Sequence, residues 1–319
     1  MDRRTALIGL LTLPIAHTPA HASGPHNPRV QVAPPNAAPL KFVAVDAAPL
    51  KIMAVDAAPL KIVAVDAAPL KIVAAQAHYA NLARQLAPDA QITSVPIGPS
   101  QDPHTFEPGP AIGRALARAQ LVIQNGLDYD AWLDRLLHTT PRRLIIADIL
   151  GRHPGDNPHL WYDPTGFEPV TRALATALGD NTRLAPTLAR FEPIAARIAT
   201  LRAAHAGTPI AATEPVYTLM TQAIGLDMRH TRFQLAIMNG TEPRVSDIAA
   251  LEADLRTRQV RILITNSQTA GGITQRIATL ARRANIPLAP ISETMPATLD
   301  YQAWLMASLD TLRSALEAK

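Results

Sequence analysis

The sequence predicts an α/β protein of two βα lobes, each a mostly parallel sheet flanked by helices, joined by one long linking helix. Three observations carry that prediction. Short apolar runs alternate with helix-periodic stretches from Leu70 to about residue 150, and the alternation resumes from residue 208 to the end of the chain. The apolar runs are continuous rather than alternating in polarity, as expected of parallel strands buried on both faces by crossover helices. Between the two series, residues 165–206 carry no strand signal; apolar residues recur there at helical spacing and the run closes at Gly207, a C-cap.

Taken in order, the chain opens on a secretory signal over residues 1–22. Arg3 and Arg4 form a charged start, residues 6–15 an apolar segment, and Ala20-His21-Ala22 a cleavage site. The segment is too short to span a bilayer, which takes about 20 residues, and the arginine pair leaves both the Sec and the twin-arginine export routes open. The sequence contains no cysteine. That removes the attachment point of a bacterial lipoprotein and any disulfide, so we expect a protein free in a periplasm and stabilised by its core.

Residues 23–66 form a Pro- and Ala-rich leader containing decapeptide repeats. AAPLKFVAVD, AAPLKIMAVD, AAPLKIVAVD and AAPLKIVAAQ follow one another over residues 37–76. Each copy reads as one short strand, and a ten-residue period is too short for a helical solenoid. The last copy alone runs into an amphipathic helix, so it supplies the first strand of the folded body. From there we read LKIVAA, a helix at 77–87, QITSVPI, a helix at 110–119, LVIQNG, a helix at 129–138 and RLIIADIL. These make a first lobe over residues 67–180, followed by the linking helix at 181–207. A helix of about 24 residues, rising ~1.5 Å per residue, would be about 36 Å long and would reach from lobe to lobe. The second lobe, 208–319, reads TPIAATEP, helices at 215–224 and 246–258, VRILITN, a helix at 272–284, IPLAPIS and a helix at 301–317.

Composition narrows the function. Apolar residues make up 48% and charged residues 18%, and 319 residues suffice for a real core. The net charge of +4 comes from scattered Lys and Arg, with no basic run interleaved with aromatics, so we expect no nucleic-acid partner. The sequence has no G-x-S-x-G, H-E-x-x-H or Walker loop.

Two of the ten histidines stand apart. QDPHTFEP and NPHLWYDP each place a histidine, His104 and His159, directly after a proline, two residues before an aromatic, and close to an acid followed by another proline. His78, His138 and His205 fall on helices, where solvated or half-buried roles are the ordinary ones. Both proline-flanked histidines lie in loops where α/β sheets bind ligands. Imidazole with carboxylate suits Zn, Mn or Fe; the competing reading is a pair of rigid turns whose histidines cap neighbouring helices. For a carboxylate partner, Thr213-Glu214-Pro215 follows a strand directly and precedes a helix, whereas Thr241-Glu242-Pro243 follows no strand and reads as a capping acid. Glu293 comes just past another strand, with Asn266 and Asp300 as rivals. Glu107 and Asp163 are candidates to orient the two imidazole rings, or simply to form the turns before Pro108 and Pro164.

The segments DPHTFEP, NGLDYDAWLDRLL and NPHLWYDP together resemble the metal-binding periplasmic solute-binding proteins of zinc and manganese ABC transporters, the cluster A-I type, over about residues 69–318. The resemblance implies two lobes bridged by a rigid helix, clamping one divalent cation as transported ligand, Zn²⁺ or Mn²⁺. It assigns His104, His159, Glu214 and Glu293 as metal ligands. It implies an ABC transporter membrane permease as partner, and we expect a monomer that is not an enzyme. Glutamate at position 214, where zinc-type members carry histidine, and the short GRHPGDNPH in place of a long His- and Asp-rich loop, depart from the zinc pattern. Two imidazoles with two carboxylates make a harder site, although affinity rises toward Zn²⁺ along the Irving–Williams order. The alternative from another class is a periplasmic metal-dependent hydrolase, which needs an open coordination position with a base beside it.

Overall fold

The computed structural model describes residues 41–43, 53–55, 68–98, 106–137, 141–268 and 271–318. The signal segment, most of the leader, His104 and His138 lie outside the described residues. In the leader, β1 (Lys41–Val43) and β2 (Met53–Val55), from the first and second repeat copies, pair as a two-stranded sheet.

The first lobe contains β3 (Lys71–Ala74), α1 (Ala77–Leu86), β4 (Gln91–Ser94), α2 (Pro110–Leu116), β5 (Leu121–Gln124), α3 (Trp132–Leu136), β6 (Arg142–Ile145), α4 (Ile146–Ile149) and α5 (Phe167–Leu178). Its strands pair in the order β4-β3-β5-β6, all parallel. The expected strand RLIIADIL is strand only in its first half. β5 and β6 stay in register to Gln124 opposite Ile145; β5 then turns away at Gly126, and without a ladder partner the chain winds into α4, Ala147 N–H donating to Asn125 O at 2.9 Å.

The expected linker is helical but not continuous. α6 (Leu184–Ala189) ends at Arg190, and α7 (Glu192–His205) begins after Phe191. Pro193 lies in the first turn of α7, where its missing N–H costs nothing. The last turn of α6 is tightened by bonds from Arg190 N–H to Thr187 O and Phe191 N–H to Leu188 O. With 14 residues α7 is about 21 Å long, shorter than expected.

The second lobe holds β7 (Pro209–Ala212), α8 (Thr218–Ile224), β8 (Asp227–Met228), α9 (Thr231–Met238), α10 (Val245–Arg256), β9 (Leu263–Asn266), α11 (Gly272–Arg283), β10 (Leu288–Ile291) and α12 (Tyr301–Glu317). Its order, β10-β9-β7-β8, repeats the first lobe's topology, again all parallel. β8 and α9 were not expected. β8 is two residues without an apolar run, and only its pairing with Pro209 and Ile210 makes it a strand.

Alternation along each strand sorts the core into layers. Ile72, Ala74, Leu121, Ile123, Ile210, Ala212, Ile264, Ala289 and Ile291 all belong to one apolar cluster with the helices α1, α5, α7, α8 and α12. The residues between them face outward: Val73 and Val122 against Ile112, Leu116 and Leu133, and Ala211 and Leu263 against Leu251, Leu255 and Ile277. The two lobes therefore share one core, and only their outer faces are separate. Among the described residues no helix is long and apolar enough to cross a membrane.

Candidate metal centre

Each lobe has its first strand next to its third, with the second strand on the far side, so the chain direction across the sheet reverses between β3 and β5 and again between β7 and β9. Loops leaving such neighbours diverge and open a crevice at the carboxyl end of the sheet, where α/β proteins take ligands. The polar residues of both lobes gather there.

In the first lobe the loop after β5 is pinned by Asp130. Its buried carboxylate accepts from Asn125 N–H at 2.6 Å, Gly126 N–H at 3.0 Å and Gln76 Nε2 at 3.1 Å. Burial pushes its pKa up, and those donors work against the rise. Gly126, Leu127 and Asp128 are consecutively left-handed, with φ of 82°, 55° and 61°. Only glycine fits the first of these positions, because a Cβ there would lie 2.9 Å from Ile145 Cγ2. The turn presents Tyr129, whose hydroxyl donates to Glu293 Oε1 across the crevice at 3.0 Å.

His159 is 1% exposed and stands just before the 3₁₀ turn Leu160–Tyr162. Asn157 holds it. The Asn157 Oδ1 accepts from the His159 backbone N–H at 2.9 Å and lies 2.6 Å from its Nδ1. The Asn157 Nδ2 donates to Pro215 O in the second lobe at 2.8 Å, which fixes the amide's orientation. The ring proton is thereby assigned to Nδ1, leaving the Nε2 lone pair on the side of Glu293, whose Oε1 is 3.3 Å away.

The second lobe brings two carboxylates. Glu214, 5% exposed, follows β7, and Glu293, 1% exposed, follows β10. The side-chain amide of Asn266, at the end of β9, donates to both, reaching Glu214 Oε2 at 2.9 Å and Glu293 Oε2 at 2.8 Å. Gln268 then fastens the Glu293 loop, accepting from the backbone N–H groups of Glu293 at 2.7 Å and Thr294 at 2.8 Å.

The structure thus brings together His159, Glu214 and Glu293, while His104 lies outside the described residues. Among the described residues no three His, Asp or Glu form an ion-holding group by themselves. Glu242 is an exposed loop acid ahead of α10. Asp300 caps α12 and pairs with Arg190. Of the two candidate ring-orienting acids, Asp163 instead pairs with Arg152 and accepts from Thr165 N–H at 3.0 Å, while Glu107 is exposed and its candidate ring, His104, lies outside the described residues. Asn157, Tyr129 and Gln268 were not singled out from the sequence, and Asn266 was weighed only as a ligand. Asn157 had a local signal in its place two residues ahead of His159; the others become neighbours only when strands β5, β9 and β10 align.

Residues 72–315 match the family described as "ZnuA: Zinc-uptake complex component A periplasmic". This chain belongs to the ZnuA family. The match starts at β3 and leaves the earlier repeat copies out, and it runs through both lobes. A Thermotoga maritima protein named for metal binding is 30% identical over 91 residues, which are 27% of this chain and 32% of that protein, so the match spans about a third of that relative's length. Solved structures show the same fold. The periplasmic zinc-binding protein TroA from Treponema pallidum superposes with TM-score 0.64 at 14% identity, covering 79% of this chain and 100% of its own. A manganese-bound periplasmic metal-binding protein from Candidatus Liberibacter asiaticus gives 0.62 at 14%, covering 77% and 98%. A zinc-bound ZnuA deletion variant gives 0.64 at 16%, covering 79% and 99%. By that description the family is one of periplasmic zinc-uptake complex components.

Proposed function

We propose that this protein captures one divalent transition-metal ion, Zn²⁺ or Mn²⁺, in a periplasm and delivers it to the membrane permease of an ABC importer. In this reading residues 1–22 direct export, residues 67–180 and 208–319 are the two metal-binding lobes with the 181–207 linker between them, and the ligands are His104, His159, Glu214 and Glu293. One observation supports it above the rest. Two carboxylates and an imidazole, all at most 5% exposed, converge from both lobes on one place. Burying two carboxylates side by side is costly unless a positive charge compensates them, and a divalent cation supplies that charge. The Asn157 bond that sets the His159 tautomer is the kind of outer hydrogen bond by which ligating imidazoles are held in orientation. The metals of the similar structures, zinc for TroA and manganese for the Liberibacter protein, support the same substrate class. A hydrolase is the less favoured reading, since the family is one of binding components.

The test is the stabilisation that metal confers. At about 1,000 times the dissociation constant, one bound ion should raise the unfolding free energy by about 4 kcal/mol. Alanine at His104, His159, Glu214 or Glu293 should each shrink that gain, and Glu242→Ala should leave it intact. Glu214→Ala responding to metal like the wild type while Glu242→Ala does not would sink the assignment.

A further inference from the structure

Asn266 does something more specific than hold a loop. Its Nδ2 carries two hydrogens, and they go to Glu214 Oε2 at 2.9 Å and Glu293 Oε2 at 2.8 Å. The amide cannot turn over, because its Oδ1 accepts from Gln268 N–H at 3.0 Å. Nor can the residue drift, because its own backbone N–H reaches Thr213 Oγ1 at 3.3 Å, at the end of a strand paired on both sides. The side chain is buried, with 7% exposure for the whole residue.

A glutamate meets a cation through one oxygen or through two, and the two-oxygen mode needs both oxygens facing the ion. Each Oε2 already commits one lone pair to a buried, charge-assisted N–H···O bond, and turning the carboxylate to bring both oxygens onto the ion would strain that bond. We propose that Asn266 restricts Glu214 and Glu293 to one oxygen each, and so biases the site toward a cation satisfied by four ligands, such as Zn²⁺, over one that wants six, such as Mn²⁺. This rests on the reading of Glu214 and Glu293 as ligands. It also opposes the hardness of the donor set, which by itself favours Mn²⁺: the donor atoms pull one way and the permitted coordination number pulls the other.

The experiment measures Zn²⁺ and Mn²⁺ affinities by chelator competition on the full chain, for the wild type, Asn266→Ala and Asn266→Leu, with X-ray absorption at the metal edge. Removing the amide should raise the Mn²⁺-to-Zn²⁺ affinity ratio at least tenfold in either variant, and should add an oxygen neighbour to bound Mn²⁺. A purely structural role would lower both affinities and leave the ratio within twofold, which overturns the proposal. Two-oxygen glutamates around zinc in the wild type overturn it too, and that measurement needs no variant to fold. Glu214→Ala and His159→Ala separate the two readings. If both bind metal like the wild type, the ligand assignment fails and this inference with it. If both lose binding while the Asn266 ratio stays flat, only the role of Asn266 fails.

Discussion

His78 lies near the start of α1 with 2% exposure, among the rings of Tyr79, Trp161, Tyr301 and Trp304 at centroid distances of 4.2, 4.9, 5.4 and 5.7 Å. Its place on a helix suggested a solvated or half-buried residue. Three of those rings, Trp161, Tyr301 and Trp304, come from the loop after α4 and from α12, far away in sequence. Burial pushes its pKa from 6.5 down to about 3. The unfolded chain therefore takes up a proton that the folded chain refuses between those values, and stability falls as pH drops below 6.5 toward 3. At pH 4.5 the loss from this group should be roughly 2–3 kcal/mol. His78→Phe, which keeps a ring in the aromatic cluster, should flatten that part of the acid limb; urea titrations at pH 7 and 4.5 read the difference. Glu214 and Glu242 make the opposite case at the same scale. Their tripeptides are identical, and it was the preceding apolar run, PIAA, that marked Glu214 as the one leaving a strand into the crevice.

Elements were legible where local signals are strong. α12 runs over Tyr301–Glu317 as its pattern indicated, because Asp300 caps it, accepting from Ala303 N–H at 2.9 Å. Burial tends to raise the Asp300 pKa, but the Ala303 bond and the Arg190 guanidinium outweigh it and hold the carboxyl below its usual value. This contribution is present above the ordinary carboxylate range and is lost as pH falls through the lowered pKa. Asp300→Ala should cost about 1 kcal/mol in thermal or urea melts, nearly all from the cap. The half-exposed Arg190 pair adds little. The break between α6 and α7 was not legible. Apolar periodicity continues through it; what ends α6 is the docking of Phe191 on Phe167, ring centroids 4.8 Å apart, together with Pro193.

For the body as a whole, the shared core and the α12 brace bear on motion. Tyr301 donates its backbone N–H to Asn81 Oδ1 at 3.1 Å and its hydroxyl to Trp161 O at 2.5 Å, while Gln302 and Gln85 exchange amide hydrogen bonds at 2.9 and 3.2 Å. Tyr162 OH donates to Ser292 O at 2.7 Å. An element of the second lobe is thus anchored on α1 of the first, beside the α7 connection. Separating the lobes would expose the central apolar layer and strand these polar groups. We expect metal-free and metal-bound protein to differ by loop shifts, with radii of gyration from solution scattering equal within error. A marked compaction on adding metal would show a hinge.

The sequence by itself determined the two α/β lobes, the strand-ending positions of Glu214 and Glu293, and the rigid Pro-His turn at His159, because periodicity, caps and prolines act over a few residues. Only the tertiary structure decided which polar groups meet. Asn266 reaches both glutamates because β9 lies between β7 and β10, Tyr129 reaches Glu293 because the lobes face each other, and β8 exists because β7 offers it an edge. Those are relations between segments distant in the chain, set by strand order and by the burial of a common core, and no local pattern encodes them.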